Sequence, residues 1–180
     1  MTGVLSVGCA VASASQAAET RPSHPAVRPT KPAAANAPKS IGKFEDWQAA
    51  THGEAGQTVC YAFTRAQSSV PAMPGRRDVD VVMTVTQRPS GRDAVAISAG
   101  FAYAANAEVI VTVDKVELPF YTSGRSAFAR DGHAVTVAFD KGRSAVAKSP
   151  APKVASVSDT FSLRGFTAAY AAINKACPVK

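Results

Sequence analysis

Along residues 79–88 (VDVVMTVTQR) apolar and polar side chains alternate, so that Val81, Met83 and Val85 share one face and Val82, Thr84 and Thr86 the other. A period of two marks a strand with one face on a core. Runs of similar character recur at residues 43–51, 58–66, 94–103, 108–113 and 116–121. Turn residues separate them: a Gly-containing turn is expected at 52–57, a Pro/Gly loop at 71–75, a turn at Pro89-Ser90-Gly91, and a two-residue hairpin at Asp114-Lys115. Short strands at this spacing predict a mainly β fold, a single β-sandwich-like domain or partly closed barrel.

The period changes near the C-terminus. In residues 166–176 (FTAAYAAINKA), Phe166, Tyr170 and Ile173 fall on one helical stripe that Cys177 continues, and the alanines favour helix. An amphipathic C-terminal α-helix packed on the sheet is the expected use of that stripe. Residues 133–141 read both ways, because Val135 and Val137 alternate as in a strand while Gly142 suits a helix end.

The first forty residues lack either pattern. Residues 4–14 (VLSVGCAVASA) are apolar and small, and Ala12-Ser13-Ala14 and Ser15-Gln16-Ala17 are suitable cleavage triplets, so 1–17 is expected to be an export signal, shortened at its basic start. Leu5–Cys9 resembles a lipoprotein box with serine in place of a large apolar residue, which leaves lipidation at Cys9 as an alternative. Residues 18–40 carry five prolines among alanines and are expected to be an extended, disordered linker. The folded domain is then 41–180.

Charge sharpens this division. Residues 1–43 hold five basic side chains against Glu19 alone, a net of +4, while the remainder holds 15 basic against 12 acidic, a net of +3. The domain is only mildly basic, and nucleic acid is not an expected partner. Arg76-Arg77, with Asp78 and Asp80 behind it, is expected in a solvated loop. No apolar run approaches the ~20 residues of a membrane-spanning helix.

Removal of the export segment leaves Cys60 and Cys177. Two cysteines in an oxidising compartment are expected to pair, pinning the terminal helix to a strand. The rival reading, a catalytic thiol at Cys60, lacks a basic neighbour before Arg65.

The search for chemistry finds no cofactor or catalytic constellation. His24, His52 and His133 are not at metal-ligand spacing, and neither a nucleophile elbow nor a phosphate-cradling loop is present. Ser40-Ile41-Gly42-Lys43 matches S-x-x-K but lies where linker becomes strand, not at the start of a buried helix. The carboxylates Asp78/Asp80 and Asp114/Glu117 flank turns, where acidic residues are ordinarily solvated.

Several phrases together resemble the invasion-associated locus B family of alphaproteobacterial envelope proteins: IGKFEDWQA, VCYAFTRA, VMTVTQRP, SAGFAYAANAEVIVTVD and DTFSLRGFTAAYAAINKAC, in register from Ile41 to Cys177. The resemblance implies an exported β-rich domain with bridged cysteines, in the periplasm or at the cell surface; the family's name comes from host-cell entry by pathogens, and its biochemical activity is unassigned. Gln87 stands where many relatives carry histidine, which leaves no titrating side chain there. Two functions follow as expectations. The favoured one is a non-enzymatic module that binds an envelope component or protein through Tyr61, Arg88 and Arg164. The alternative is a small envelope hydrolase using Asp or Glu, which needs a deep cleft lined by two buried carboxylates.

Overall fold

The structure, a computed structural model, describes residues 37–179. The expected export signal and all of the linker before residue 37 lie outside the described residues. The first strand, β1 (Lys39–Phe44), takes in two residues that the sequence places in the linker. The single strand expected over 43–51 is divided at Glu45-Asp46, where Glu45 has φ 49°, and the chain returns as β2 (Trp47–Glu54). The expected turn at 52–57 shrinks to Ala55-Gly56, both at positive φ, as a tight two-residue hairpin requires. His52 and Glu54 therefore belong to a strand, with β3 (Gln57–Arg65) antiparallel to it.

The remaining strands are β4 (Ser68–Val70), β5 (Val82–Arg88), β6 (Gly91–Ser98), β7 (Glu108–Val113), β8 (Val116–Ser123), β9 (Ser126–Ala129), β10 (Ser144–Ala151) and β11 (Val154–Ser162). All pairings are antiparallel, in the order β1-β2-β3-β5-β6-β9-β8-β7-β10-β11-β4. The fold is thus mainly β with a C-terminal helix, as the alternation implies. The hairpin at Asp114-Lys115 forms between β7 and β8, with Asp114 at φ 54°.

One connection joins distant parts of the sheet. β3 and β4 are separated only by Ala66 and Gln67, yet they lie far apart in the strand order. The Ala66 amide donates to Val81 O (2.9 Å) and the next amide, Gln67, donates to Thr160 O (2.8 Å). The chain passes here from one half of the sheet to the other. The enclosed core draws Met83, Val85, Val95 and Ile97 from one half and Val109, Val111, Phe120, Ala147 and Phe161 from the other. Burying such side chains supplies roughly 1.5–3 kcal/mol each in gross transfer energy.

Two helices complete the core. α1 (Gly132–Lys141) settles the ambiguous segment as helix: Asp131 caps it by accepting from the Ala134 amide (2.9 Å), and Val135, Thr136 and Phe139 are buried. Gly132 is required, because a Cβ there would lie 1.7 Å from Asp93 O. α2 (Phe166–Ala176) packs on β1, β2 and β3. Its Phe166 meets the Trp47 ring edge-on at 5.0 Å, and the Trp47 indole donates to Ser162 O (3.0 Å). Gly165, at φ 85°, starts the helix where a Cβ would lie 2.1 Å from Phe44 O.

The loop holding Arg76-Arg77 differs from expectation. Arg77 is solvated and paired with Asp80, but Arg76 turns inward, its side chain only 4% exposed. It holds Asp159 through two parallel bonds (2.9 and 2.6 Å), donates from Nε to Ala99 O (2.6 Å) and lies over the Phe101 ring. Ser69 donates a further bond to Asp159 (2.6 Å). A buried carboxylate needs such pairing, and Arg supplies it bidentately.

Candidate functional site

On β3 the side chains of Cys60, Ala62 and Thr64 face the core, so Tyr61 and Phe63 face outward. The register sets Tyr61 between Ala50 on β2 and Thr86 on β5. Both neighbours are small, and the ring is half-buried. His52 meets that ring edge-on at 5.4 Å, and Phe63 stacks beside it at 6.0 Å. Arg88, two residues beyond Thr86 on the same face, donates from Nε to Glu54 (3.0 Å), and the His52 Nε2 lies 3.7 Å from the same carboxylate oxygen. Pro38, His52, Tyr61, Thr86 and Arg88 line a shallow hollow of about 410 Å³.

Arg88 also lines a second recess of about 450 Å³, at the end of the domain where the β2–β3 and β5–β6 hairpins meet the end of α2. Arg92 is fixed there by bonds to Cys177 O (2.6 Å) and to Asn174 Oδ1. The disulfide Cys60–Cys177 anchors the same corner, with Cα atoms 6.0 Å apart. This is the expected pairing, and it places Cys60 as a structural sulfur on the inner face of β3.

The structure therefore brings Tyr61 and Arg88 into one surface. Arg164 lies elsewhere. It pairs with Glu45 (2.9 Å) beside the β1–β2 turn and is largely solvated. Sequence reasoning missed His52, Glu54 and Arg92 as members of the surface. The i, i+2 spacing of His52 and Glu54 was the available signal, obscured by assigning both to a turn.

A second polar cluster ties the helices to the sheet. Asp93, at the start of the β5–β6 hairpin's return strand, accepts from the Tyr170 hydroxyl (2.6 Å) and from Gln87 Nε2 (2.7 Å), and lies 3.4 Å from His133 Nδ1. Gln87 is fully buried and also accepts the Asp93 amide (2.9 Å). Burial pushes the Asp93 carboxyl up, but hydrogen bonds from Tyr170, Gln87 and His133 together outweigh it and hold it below the usual range. Burial, followed by the bond to Asp93, pushes the Tyr170 phenol up. The ionised Asp93 and the protonated Tyr170 form a charge-assisted hydrogen bond that, with Gln87 and His133, ties α1 and α2 to the hairpin.

The other expected polar sites are ordinary surface. Ser40 and Lys43 lie on the extended strand β1, and Asp114 and Glu117 are exposed around the β7–β8 turn. Among the described residues no three His, Cys, Asp or Glu side chains converge as a metal site. No helix among them is long and apolar enough to cross a membrane.

Comparison with known proteins gives two findings. The family described as Invasion associated locus B (IalB) protein matches residues 47–174. The crystal structure of invasion associated protein b from Bartonella henselae superposes with a TM-score of 0.55, covering 77% of this chain and 96% of that one at 18% identity. At that identity the likeness is one of fold. No curated protein matches in sequence.

Proposed function

Because the chain belongs to the invasion associated locus B family, we propose that it is a non-enzymatic, exported module of the cell envelope that binds an envelope component or protein through the Tyr61–Arg88 surface. The observation that carries this reading is the hollow itself: an accessible aromatic ring, a histidine and an arginine held on three paired strands. Loops carry many binding sites, but side chains on a sheet present a fixed pattern and lose little entropy when a partner arrives.

Export is supported by the disulfide, which persists in oxidising compartments and is rare in the cytosol of mesophiles. The proposed organisation is an export signal at 1–17, a linker at 18–40 and the binding domain at 41–180. A hydrolase reading would need two buried carboxylates sharing a cleft. Asp93 and Asp159 instead belong to separate hydrogen-bond networks, each filled by partners from the protein itself.

The test is capture from envelope extracts by the full chain, its Tyr61→Ser variant and its Arg88→Glu variant, all with matched unfolding midpoints. The expected result is a component retained by the parent protein and lost by both variants. Identical capture by all three would remove Tyr61 and Arg88 from the binding surface.

A further inference from the structure

The recess beside the disulfide has a charge pattern that names its ligand. Gln57, Thr58, Arg88 and Arg92 supply its polar wall and Pro89 and Val179 part of its apolar wall, and no Asp or Glu among the described residues lines it. Arg88 engages Glu54 at the rim through Nε. Arg92 meets only neutral oxygens, Asn174 Oδ1 and the Cys177 carbonyl, and has no carboxylate partner among the described residues. Its guanidinium is therefore held in place while its charge is left uncompensated. A guanidinium presents parallel N–H groups that match the oxygens of a carboxylate or phosphate, and one already immobilised costs little further entropy on binding. The recess, about 450 Å³, is of small-ligand size.

We propose that this recess binds an oxyanion, a carboxylate or phosphate carrying a short apolar group, with Arg92 and Arg88 on the anion and Pro89 and Val179 against the apolar part. The proposal rests on the binding reading above and deepens it. Arg88 lines both the recess and the Tyr61 hollow, so an extended acidic ligand reaches from one to the other. Arg92 has a structural duty as well, since it holds the last turn of α2. The test must separate the two roles. Gln57→Glu does so, because Gln57 is an exposed residue that leaves the helix contacts untouched while placing a negative charge in the recess.

The experiment is an amide-shift titration of the full, isotope-labelled chain with phenyl phosphate, hexanoate and, as the neutral control, benzyl alcohol. Saturable shifts at Gly56, Gln57, Thr58 and Arg92 are expected with at least one anion and not with the alcohol. Gln57→Glu is expected to weaken that binding by roughly tenfold or more, the equivalent of one charge-assisted hydrogen bond, with an unfolding midpoint lowered only slightly by the facing Glu54. Lys115→Gln, at the remote β7–β8 turn, leaves it unchanged. Sedimentation with phosphatidylglycerol vesicles adds the source: co-sedimentation lost in Gln57→Glu assigns a lipid headgroup, and its absence assigns a free acid. No saturable shift with either anion, equal binding of the alcohol, or full binding by Gln57→Glu would overturn the site. Failed probes with Tyr61-dependent capture intact would discard the anion site and leave the binding reading standing. Saturating probes with Tyr61-independent capture would do the reverse.

Discussion

The hydroxyl of Tyr170 donates to the carboxylate of Asp93 at 2.6 Å, joining two residues 77 positions apart in sequence and bonding the terminal helix to the β5–β6 hairpin. The bond sets how the fold responds to pH. Asp93 is held below the usual carboxylate range, so its contribution is complete above the unfolded-state value and is lost as pH falls through the lowered one. Tyr170 is raised, so its contribution is complete below the ordinary phenol range and is lost as pH climbs through the raised value.

Tyr170→Phe should therefore destabilise the domain by about 1.5–3 kcal/mol at neutral pH, the cost of a hydrogen bond to a charged group. It should also flatten both arms of the stability profile. Urea unfolding across the pH range measures this; a parent-like profile in the variant would show that the bond contributes nothing.

Cys60→Ser or Cys177→Ser should cost about 2–5 kcal/mol, because the bridge spans 117 residues of chain. The double change should cost little more than either one, since each single change already removes the whole bridge. Denaturant midpoints of the three variants decide it, and additive losses would mean the sulfurs act separately.

Adjacent arginines give a sharp contrast. Arg76→Met strands the buried Asp159 and should cost about 3–5 kcal/mol, whereas Arg77→Met breaks only a solvated pair and should leave the unfolding midpoint close to the parent's. Arg76→Met with Asp159→Leu should recover much of the loss, because no unpaired charge remains. Thermal or chemical unfolding compares all three. Equal losses at 76 and 77 would contradict the inward position of Arg76.

Export makes a separate prediction. The native protein should begin between Ser15 and Glu19, and its intact mass should lack the preceding residues. A native chain retaining Met1 would remove the support for an envelope location.

Alternation was strong enough to place β5, because Met83 and Val85 are large and Thr84 and Thr86 polar. The β10–β11 hairpin carried no such signal. Its buried positions are mostly small or mixed, including Ala145, Ala147, Ser149 and Asp159, and Pro150 sits at a register shift that interrupts the pattern. α1 stayed ambiguous because two valines fit either period, and the Asp131 cap decided it. The inward turn of Arg76 was illegible because its partner lies 83 residues away. At the candidate site, facing was legible and adjacency was not. That Tyr61 faces outward follows from strand parity, but whether it sits near Arg88 or Arg164 depends on strand pairing, which no local pattern encodes.

The passage from β3 to β4 has a consequence for how the domain comes apart. Two successive amides, Ala66 and Gln67, are bonded to carbonyls in opposite halves of the sheet. Each bond stays within its own half, so what spans the halves here is the peptide chain itself and Arg76, which holds Asp159 on one side and Ala99 O on the other. These neighbouring amides therefore report on the two halves separately: if the domain opens in a single cooperative step they should be equally protected from exchange with solvent deuterium, and unequal protection would show one half opening alone.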